Sequence, residues 1–194
     1  RLDETSGDVA YDYWGGRDGV VRSGTTINGT GPVPPDFQGF DAENKAYSFN
    51  NSGMVEILDP LNLNSATITI VAWIKPNGAQ DDFDGIVFSR GGNTVAGLDY
   101  QTGGQLGYHW NDAAATYNFQ SGLYPLDGVW NFVALVVEPT QATIYCDDGT
   151  GLFYNVNTVN HAAEEFNGTL RFATDSGTGR FFNGMIDDVV IYDR

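Results

Sequence analysis

Several residue types that would support particular chemistries are scarce in this sequence. The only cysteine is Cys146, which excludes an intramolecular disulfide and any small disulfide-stabilised scaffold. The two histidines, His109 and His161, are far apart in the chain, and no Gly-x-Ser-x-Gly motif is present. Zinc centres with paired histidines and Ser-His-Asp hydrolase sites therefore lack their components.

Basic residues and long apolar runs are scarce as well. Nine Lys and Arg side chains stand against 25 Asp and Glu side chains, and the net charge of −16 disfavours nucleic acid as a partner. No run approaches the roughly 18 apolar residues of a membrane span, so we predict no membrane insertion. The first residues also lack the basic and apolar regions of a signal peptide. We therefore expect the chain to be excised from a longer exported protein.

Acidic residues are abundant, yet their spacing does not suit hydrolysis of a glycosidic bond. Retaining glycosidases place two carboxyl groups about 5 Å apart on one surface. Glu56 and Asp59 are three residues apart in or beside a predicted strand, so they face opposite sides. Glu164 and Glu165 fall in a short segment of helix-like composition. We therefore predict that the chain is not an enzyme.

Short apolar segments recur about every ten residues between Gly, Asn and Asp, which is typical of an all-β sandwich or barrel. A length of 194 residues suits one large β domain over residues 1–194. Residues 23–40 predict a long surface loop, and residues 160–166 predict one or two helical turns. The predicted strands cover residues 46–49, 54–57, 67–75, 85–89, 105–110, 115–119, 129–138, 142–146, 169–173 and 184–192.

Two predicted strands, residues 67–75 and residues 130–137, carry apolar side chains at both odd and even positions, and so on both faces. A strand that is apolar on both sides is covered on both faces and lies inside a sheet. Trp73 and Trp130 belong to these segments, so we expect both indoles in the core.

The last strand resembles the closing strand of a known family. Residues 184–194 read Gly-Met-Ile-Asp-Asp-Val-Val-Ile-Tyr-Asp-Arg, similar to the ending of bacterial laminin-G-like (concanavalin A-like) jelly-roll modules. The resemblance implies a two-sheet antiparallel β-sandwich that serves as an accessory module of a secreted protein. The E-x-D-x-x-E motif of glycosidases of this class is absent. Further matching segments, in family order, are residues 2–7, 10–12, 46–49, 68–76 and 127–135, together with Gly19.

Four aspartates are candidate ligands of a structural Ca²⁺ ion. Calcium takes about 6 to 8 oxygen ligands, so its carboxylates must converge from separate segments. Asp12 and Asp18 flank a glycine-containing loop, and Asp187 and Asp188 lie on the last strand. The resemblance implies that the two chain ends meet, and calcium is common near this seam in related families. The alternative is that Asp12 and Asp18 are turn residues and that Asp187 accepts backbone N–H groups.

A carbohydrate site usually combines aromatic rings with fixed amide and carboxylate groups. Residues 107–112 supply both, and residues 115–119 predict the partner strand of a hairpin with an exposed aromatic face. Tyr108 and Trp110 share one side of the strand and His109 and Asn111 share the other, but the sequence leaves open which side is core. The alternative is a structural role, with aromatic core residues beside a polar loop. The candidate ligand-binding residues are Tyr108, His109, Trp110, Asn111, Asp112 and Trp14. The last lies in a glycine-containing loop, which leaves it freer to be exposed than the other tryptophans.

These features predict a non-catalytic carbohydrate-binding module of a secreted or cell-surface bacterial protein that acts on polysaccharides. Its expected partners are a polysaccharide or oligosaccharide and a catalytic domain of the same parent chain, with Ca²⁺ as a structural ion. The alternative is a protein-interaction or adhesion module of a surface protein without a sugar site. An exposed aromatic platform would favour the first function, and one large apolar patch on a flat polar surface would favour the second.

Overall fold

The computed structural model describes residues 1–176 and 178–194, which form two antiparallel seven-stranded sheets. The sheets pack on each other through one shared hydrophobic core. The only helix of the described residues is the single turn α1 (Ala114–Tyr117). The predicted all-β, two-sheet sandwich is therefore confirmed.

The first sheet, sheet A, begins at a two-residue edge strand and ends at the strand that carries the predicted ligand-binding segment. In spatial order it consists of β1 (Val9–Ala10), β2 (Gly19–Val21), β5 (Val55–Ile57), β13 (Thr169–Phe172), β7 (Gly85–Gly91), β8 (Thr94–Gln101) and β9 (Gln105–His109).

The second sheet, sheet B, has the long apolar strand β6 at its centre. In spatial order it consists of β12 (Leu152–Asn157), β11 (Gln141–Asp147), β10 (Asn131–Glu138), β6 (Ile68–Pro76), β14 (Asn183–Tyr192), β4 (Lys45–Asn50) and β3 (Thr25–Thr30).

The core lies between the two sheets and is built from alternate strand positions. On β6 every second residue from Ile68 to Ile74 is buried and apolar. Sheet A contributes Leu98, Tyr100 and Tyr108 to the same cluster. Successive side chains of a strand point to opposite faces, so this period of two assigns one face of each sheet to the core.

Trp73 lies on the outer face of sheet B, because it alternates with the core positions of β6. Phe37 and Phe40 pack edge to face on its indole, with ring centroids 5.3 and 5.4 Å away. Trp130 is buried just before β10 but lies outside the cluster between the sheets. The prediction that both indoles belong to the core is therefore wrong for Trp73. A loop covers the second apolar face of β6, and alternation alone cannot distinguish a loop from a second sheet.

Two predicted elements differ in the structure. Residues 115–119 do not form a strand, because Thr116 Oγ1 accepts the N–H of Trp110 (3.0 Å) and donates to the carbonyl of Ala113 (2.8 Å), which closes the turn of α1. Residues 160–166 do not form a helix, and Glu164 instead makes an isolated β-bridge with Ser65. The predicted loop 23–40 contains β3, and the prediction also missed β1, β2, β8 and β12.

The two ends of the chain meet at β14. The backbone N–H of Leu2 donates to Asp187 Oδ1 at 3.3 Å. The register of β14 against β6 shifts between Asp187 and Val190, and Asp188 within this irregularity has a φ of +45°. Beyond this irregularity, the final residues of β14 and the loop between β1 and β2 line a common cleft.

Candidate functional site

The loop between β1 and β2, residues 11–18, is held mainly by the side chain of Asp12. Asp12 Oδ1 accepts the backbone N–H groups of Trp14 (3.0 Å) and Gly15 (2.8 Å), and Oδ2 accepts that of Arg17 (3.0 Å). Asp18 Oδ1 in turn accepts the N–H of Asp12 at 2.8 Å. Burial disfavours the charged form of Asp12, but these hydrogen bonds outweigh it and lower its pKa. The loop therefore has a defined shape although most of it is exposed.

This loop presents three aromatic side chains to solvent. Trp14 is 100 % exposed, and Tyr11 and Tyr13 are more than half exposed. Burying a large aromatic side chain is strongly favourable, so a fully exposed indole on an ordered loop is a candidate contact surface. The prediction that Trp14 is free to be exposed agrees with this position.

A cleft of about 760 Å³ lies beside the loop, and we call it the Trp14 cleft. Loop 11–18, the end of β14 with Tyr192, and the following Asp193 line it. Apolar side chains from both sheets and from the segment between β5 and β6 also line it: Leu61, Leu63, Leu170, Phe172, Val189 and Ile191. The volume falls in the range of about 300 to 1,000 Å³ that small-molecule sites occupy.

Asp187, on the same strand, is completely buried. It accepts hydrogen bonds from the N–H of Leu2, from Asn44 Nδ2 (2.7 Å) and from the N–H of Asp188 (2.7 Å). Burial raises the pKa of Asp187 to about 6, against an ordinary value of 3.8. Asp188 lies 3.8 Å from the guanidinium of Arg1, and burial raises its pKa as well.

The four predicted calcium ligands thus each have partners within the protein. Both oxygens of Asp12 accept backbone N–H groups, as one expects of a turn residue, and Asp187 holds the N-terminal segment. Among the residues that the structure describes, no three Asp, Glu, His or Cys side chains are grouped as metal ligands. In this arrangement the four aspartates do not fit a shared calcium site. The calcium ion itself stays a prediction, since the comparisons below do not test it.

Tyr108 and Trp110 point into the core, which settles the orientation that the sequence left open. Both are at most 2 % exposed. Trp110 Nε1 donates to the carbonyl of Ala162 at 2.7 Å, and the Tyr108 hydroxyl lies 2.9 Å from His161 Nε2. The expected exposed aromatic face on this hairpin is therefore wrong. Asn111 and Asp112 are exposed in the following turn, and the ligand-binding role of the six predicted residues is otherwise untested.

His109 faces the outer side of sheet A but is buried by its neighbours. Its Nδ1 lies 2.6 Å from Asp99 Oδ2, and the rings of Phe83, Phe88 and Tyr117 surround it at 5.2 to 5.3 Å. Asp99 is completely buried, and burial raises its pKa although His109 and a neighbouring amide oppose this. Sequence reasoning missed Asp99, because Gly97 and Asp99 interrupt the apolar pattern by which β8 could have been recognised.

A second, smaller groove of about 380 Å³ lies on the outer side of sheet B. Trp73, Trp130 and Phe37 line it together with Asp36 and Asp147. Both indoles are largely covered, in contrast to Trp14, so this groove offers less aromatic surface to a ligand.

The fold and the cleft define a β-sandwich with an aromatic-rimmed site at one end. A laminin G family model, described as the concanavalin A-like lectin/glucanases superfamily, matches residues 49–194. The chain belongs to this superfamily, and the resemblance seen in the sequence is confirmed. A search of curated protein sequences finds no significant match.

Solved structures of low sequence identity share the fold. Domain 4 of AbnA, a GH43 extracellular arabinanase from Geobacillus stearothermophilus solved with arabinotriose, is 18 % identical with a TM-score of 0.55, over 87 % of this chain and 82 % of that one. Trypanosoma rangeli sialidase with sialic acid is 16 % identical with a TM-score of 0.63, over 100 % of this chain but 30 % of the sialidase. Tailspike protein 2 of Escherichia coli O157:H7 bacteriophage CAB120 is 15 % identical with a TM-score of 0.57, over 86 % of this chain and 24 % of the tailspike.

The part of the chain that the structure describes has one helix, and its four residues fall far short of a membrane-spanning length.

Proposed function

We propose that this chain is a non-catalytic carbohydrate-binding module of a secreted protein that acts on polysaccharides, and that the glycan binds in the Trp14 cleft. The observation that carries the proposal is the complete exposure of Trp14 on a loop that Asp12 holds in place. An aromatic ring stacks on the C–H face of a sugar, and a loop whose backbone is already held loses little conformational freedom on binding.

The polar groups around the cleft suit hydroxyl groups of a neutral ligand. Arg1, Arg17, Asp12 and Asp193 line it, so donors and acceptors stand beside the aromatic rim. The net charge of −16 repels polyanions over the whole surface. We therefore expect neutral polysaccharides to bind better than uronate-rich or sulfated ones.

The surroundings of the candidate carboxylates support a binding role over catalysis. Both oxygens of Asp12 accept backbone hydrogen bonds, and Asp99 with His109 lies buried away from the cleft. A binding module acts through proximity, because it raises the effective concentration of a tethered catalytic domain at the polymer. The likeness to an arabinanase domain solved with arabinotriose makes arabinan the first ligand to test.

Affinity electrophoresis through gels that contain arabinan, xylan, β-glucan or pectin tests the proposal. We expect wild type to be retarded by at least one neutral polymer, and Trp14→Ala to lose at least about tenfold in affinity, as hot-spot aromatics do. Tyr124→Ala is the matched control, since Tyr124 is also more than half exposed but lies outside the cleft. Retardation of Trp14→Ala equal to that of wild type would place the site elsewhere. A wild type that binds none of a wide range of glycans would favour the adhesion function.

The structural calcium ion is tested separately from the sugar site. An ion that binds only the folded protein raises the melting temperature, so chelation would lower it. Elemental analysis that finds no calcium, with an unchanged melting curve in excess chelator, would remove the ion and leave the Trp14 cleft unaffected.

A further inference from the structure

The two sheets have four edge strands, and three of them are protected. An edge strand exposes unpaired backbone groups that can pair with another chain. β1 has only two residues. A following segment covers β9, since the N–H of Leu106 donates to Leu123 and the Ser121 hydroxyl donates to the Leu106 carbonyl. In β3 the register shifts between Thr26 and Gly29.

The fourth edge, β12, has little such protection: one outward N–H, that of Val156, is capped by the Asn155 side chain. All six of its residues pair with β11 on one side, and β12 is the last strand of sheet B. Leu152, Phe153 and Tyr154 are 58, 50 and 65 % exposed. The strand contains neither proline nor a charged residue, the two commonest devices against edge pairing. It is therefore a long, apolar and open edge.

The free side of β12 has a regular set of backbone groups. The N–H of Val156 donates to Asn155 Oδ1 at 2.8 Å and so points away from β11. By strand alternation, the N–H groups of Leu152 and Tyr154 point the same way. The N–H of Val156 is capped by the Asn155 side chain, so Leu152 and Tyr154 supply the outward backbone donors, and all three residues supply outward carbonyl acceptors.

We propose that β12 pairs with β12 of a second copy of this chain, antiparallel about a two-fold axis at Tyr154, to give one continuous fourteen-stranded sheet. The outward-pointing residues then pair with each other, Tyr154 with its own copy and Leu152 with Val156. Residues directly opposite in an antiparallel pair lie on the same face, so the two Tyr154 rings meet on the outer face beside Tyr145, which already packs on Tyr154 at 5.8 Å.

The lack of charge along β12 permits self-pairing at this edge, and the position of the flanking acidic residues favours the antiparallel direction. Two copies of net charge −16 repel each other, but no charged residue lies between Asp148 and Glu164. Antiparallel pairing places Asp147 and Asp148 of one copy beside the uncharged end of the partner strand, whereas parallel pairing would bring the acidic ends together. Because the remaining surface repels, dimer affinity should rise with salt.

Sedimentation velocity over a concentration range of about a hundredfold, at low and moderate salt, tests the pairing. We expect wild type to shift from monomer to dimer, and more readily at higher salt. Tyr154→Lys places two like charges on the axis and should weaken the dimer at least about tenfold. Leu58→Lys is the control, since Leu58 is 58 % exposed, close to the 65 % of Tyr154, but lies outside β12.

Cysteine cross-linking tests the register. In a hydrogen-bonded antiparallel pair the Cα atoms are about 5.5 Å apart, within disulfide reach. Tyr154→Cys should therefore form a disulfide-linked dimer under mild oxidation faster than Phe153→Cys, and Cys146 is buried and so contributes little background. A wild type that stays monomeric, or a dimer that Tyr154→Lys leaves intact, would overturn the proposal. Near-ultraviolet circular dichroism confirms that each variant is folded.

Discussion

Two segments of this protein carry the same kinds of aromatic residue, but one segment buries them and the other exposes them. Tyr108 lies on the regular strand β9 and Trp110 follows directly after its end, and both lie in the core. Tyr13 and Trp14 belong to a loop that returns on itself, and both are exposed. Residue type alone therefore does not decide whether an aromatic side chain is structural or available to a ligand.

The backbone conformation decides whether these aromatic side chains are buried or exposed. In a sheet that packs on a second sheet, alternate side chains point to the core, so Tyr108 and Trp110, two positions apart, are both buried. In loop 11–18 the carboxylate of Asp12 takes the hydrogen bonds that a neighbouring strand would supply. The loop keeps its shape without burying its rings, and that combination is what a binding site needs.

The largest expected effect is on stability. Trp110→Ala removes a buried indole and should lower the free energy of unfolding by about 3 to 5 kcal/mol. Trp14→Ala removes a fully exposed one and should change it by less than about 0.5 kcal/mol. Urea denaturation of both variants measures the difference. Equal losses would show that Trp14 also supports the fold, which would undo the comparison.

The next largest loss of stability is expected at Asp99, whose carboxylate lies beside the buried segment. Asp99→Ala leaves His109 Nδ1 and the Gln101 amide without their buried partner, which should cost about 1 to 3 kcal/mol. Asp193→Ala changes an exposed carboxylate and serves as the control. Thermal melts of both variants check this. A neutral effect of Asp99→Ala would mean that the surrounding residues close over the gap.

Asp12→Ala should have a smaller effect on stability and a clear effect on binding. Loss of the loop's hydrogen bonds should cost about 1 kcal/mol, and the affinity for a bound glycan should fall because Trp14 is no longer held in position. Calorimetric titration beside a melting curve separates the two effects. Unchanged affinity with a loosened loop would show that the fixed position of Trp14 is unimportant.

The smallest effect is the dependence of stability on pH. The pKa values of Asp84 and Asp187 are raised to about 6 by burial, so the folded state holds these protons more tightly than the unfolded state. Their contribution to the free energy of unfolding is complete below about pH 4 and is lost as pH rises through 6. Asp12 and Glu56 have lowered pKa values in the folded state, so their contribution to stability is lost as pH falls into the more acidic range.

Burial lowers the pKa of His161, which opposes this effect over the same range, but two carboxyl groups with raised pKa values outweigh one imidazole. The melting temperature should therefore rise on going from pH 7 to about pH 5 and fall again in stronger acid. Scanning calorimetry across this range checks the shape. Asp84→Asn keeps the acceptor for the Asp81 N–H and should flatten the rise. A melting temperature that falls steadily from pH 7 downward would contradict the assignment.

The sequence predicted the sandwich because β6 and β10 carry clear apolar patterns and the closing strand resembles a known family. It missed β8, where Gly97 and Asp99 break the pattern, and β12, where the exposed residues are as apolar as buried ones. The residue pattern also predicted a strand at residues 115–119, where the structure has the helical turn α1. The Thr116 hydroxyl closes this turn, and the period of the apolar residues does not reveal such a contact.

The site was only partly predictable for a similar reason. Trp14 could be assigned to an exposed loop from its glycines, but the cleft beside it needs β14 and both sheets. The network around Asp99 and His109 joins strands with aromatic residues from separate loops, and no spacing in the sequence encodes that contact.

The most direct test of the Trp14 cleft is a titration of ¹⁵N-labelled protein with an oligosaccharide of the polymer that binds best, followed through the four indole N–H resonances. We predict that the Trp14 resonance shifts progressively and saturates, while that of Trp110, bonded to the Ala162 carbonyl inside the core, stays in place. A saturating shift of Trp73 or Trp130 with Trp14 unmoved would contradict the account and place the ligand in the groove on sheet B.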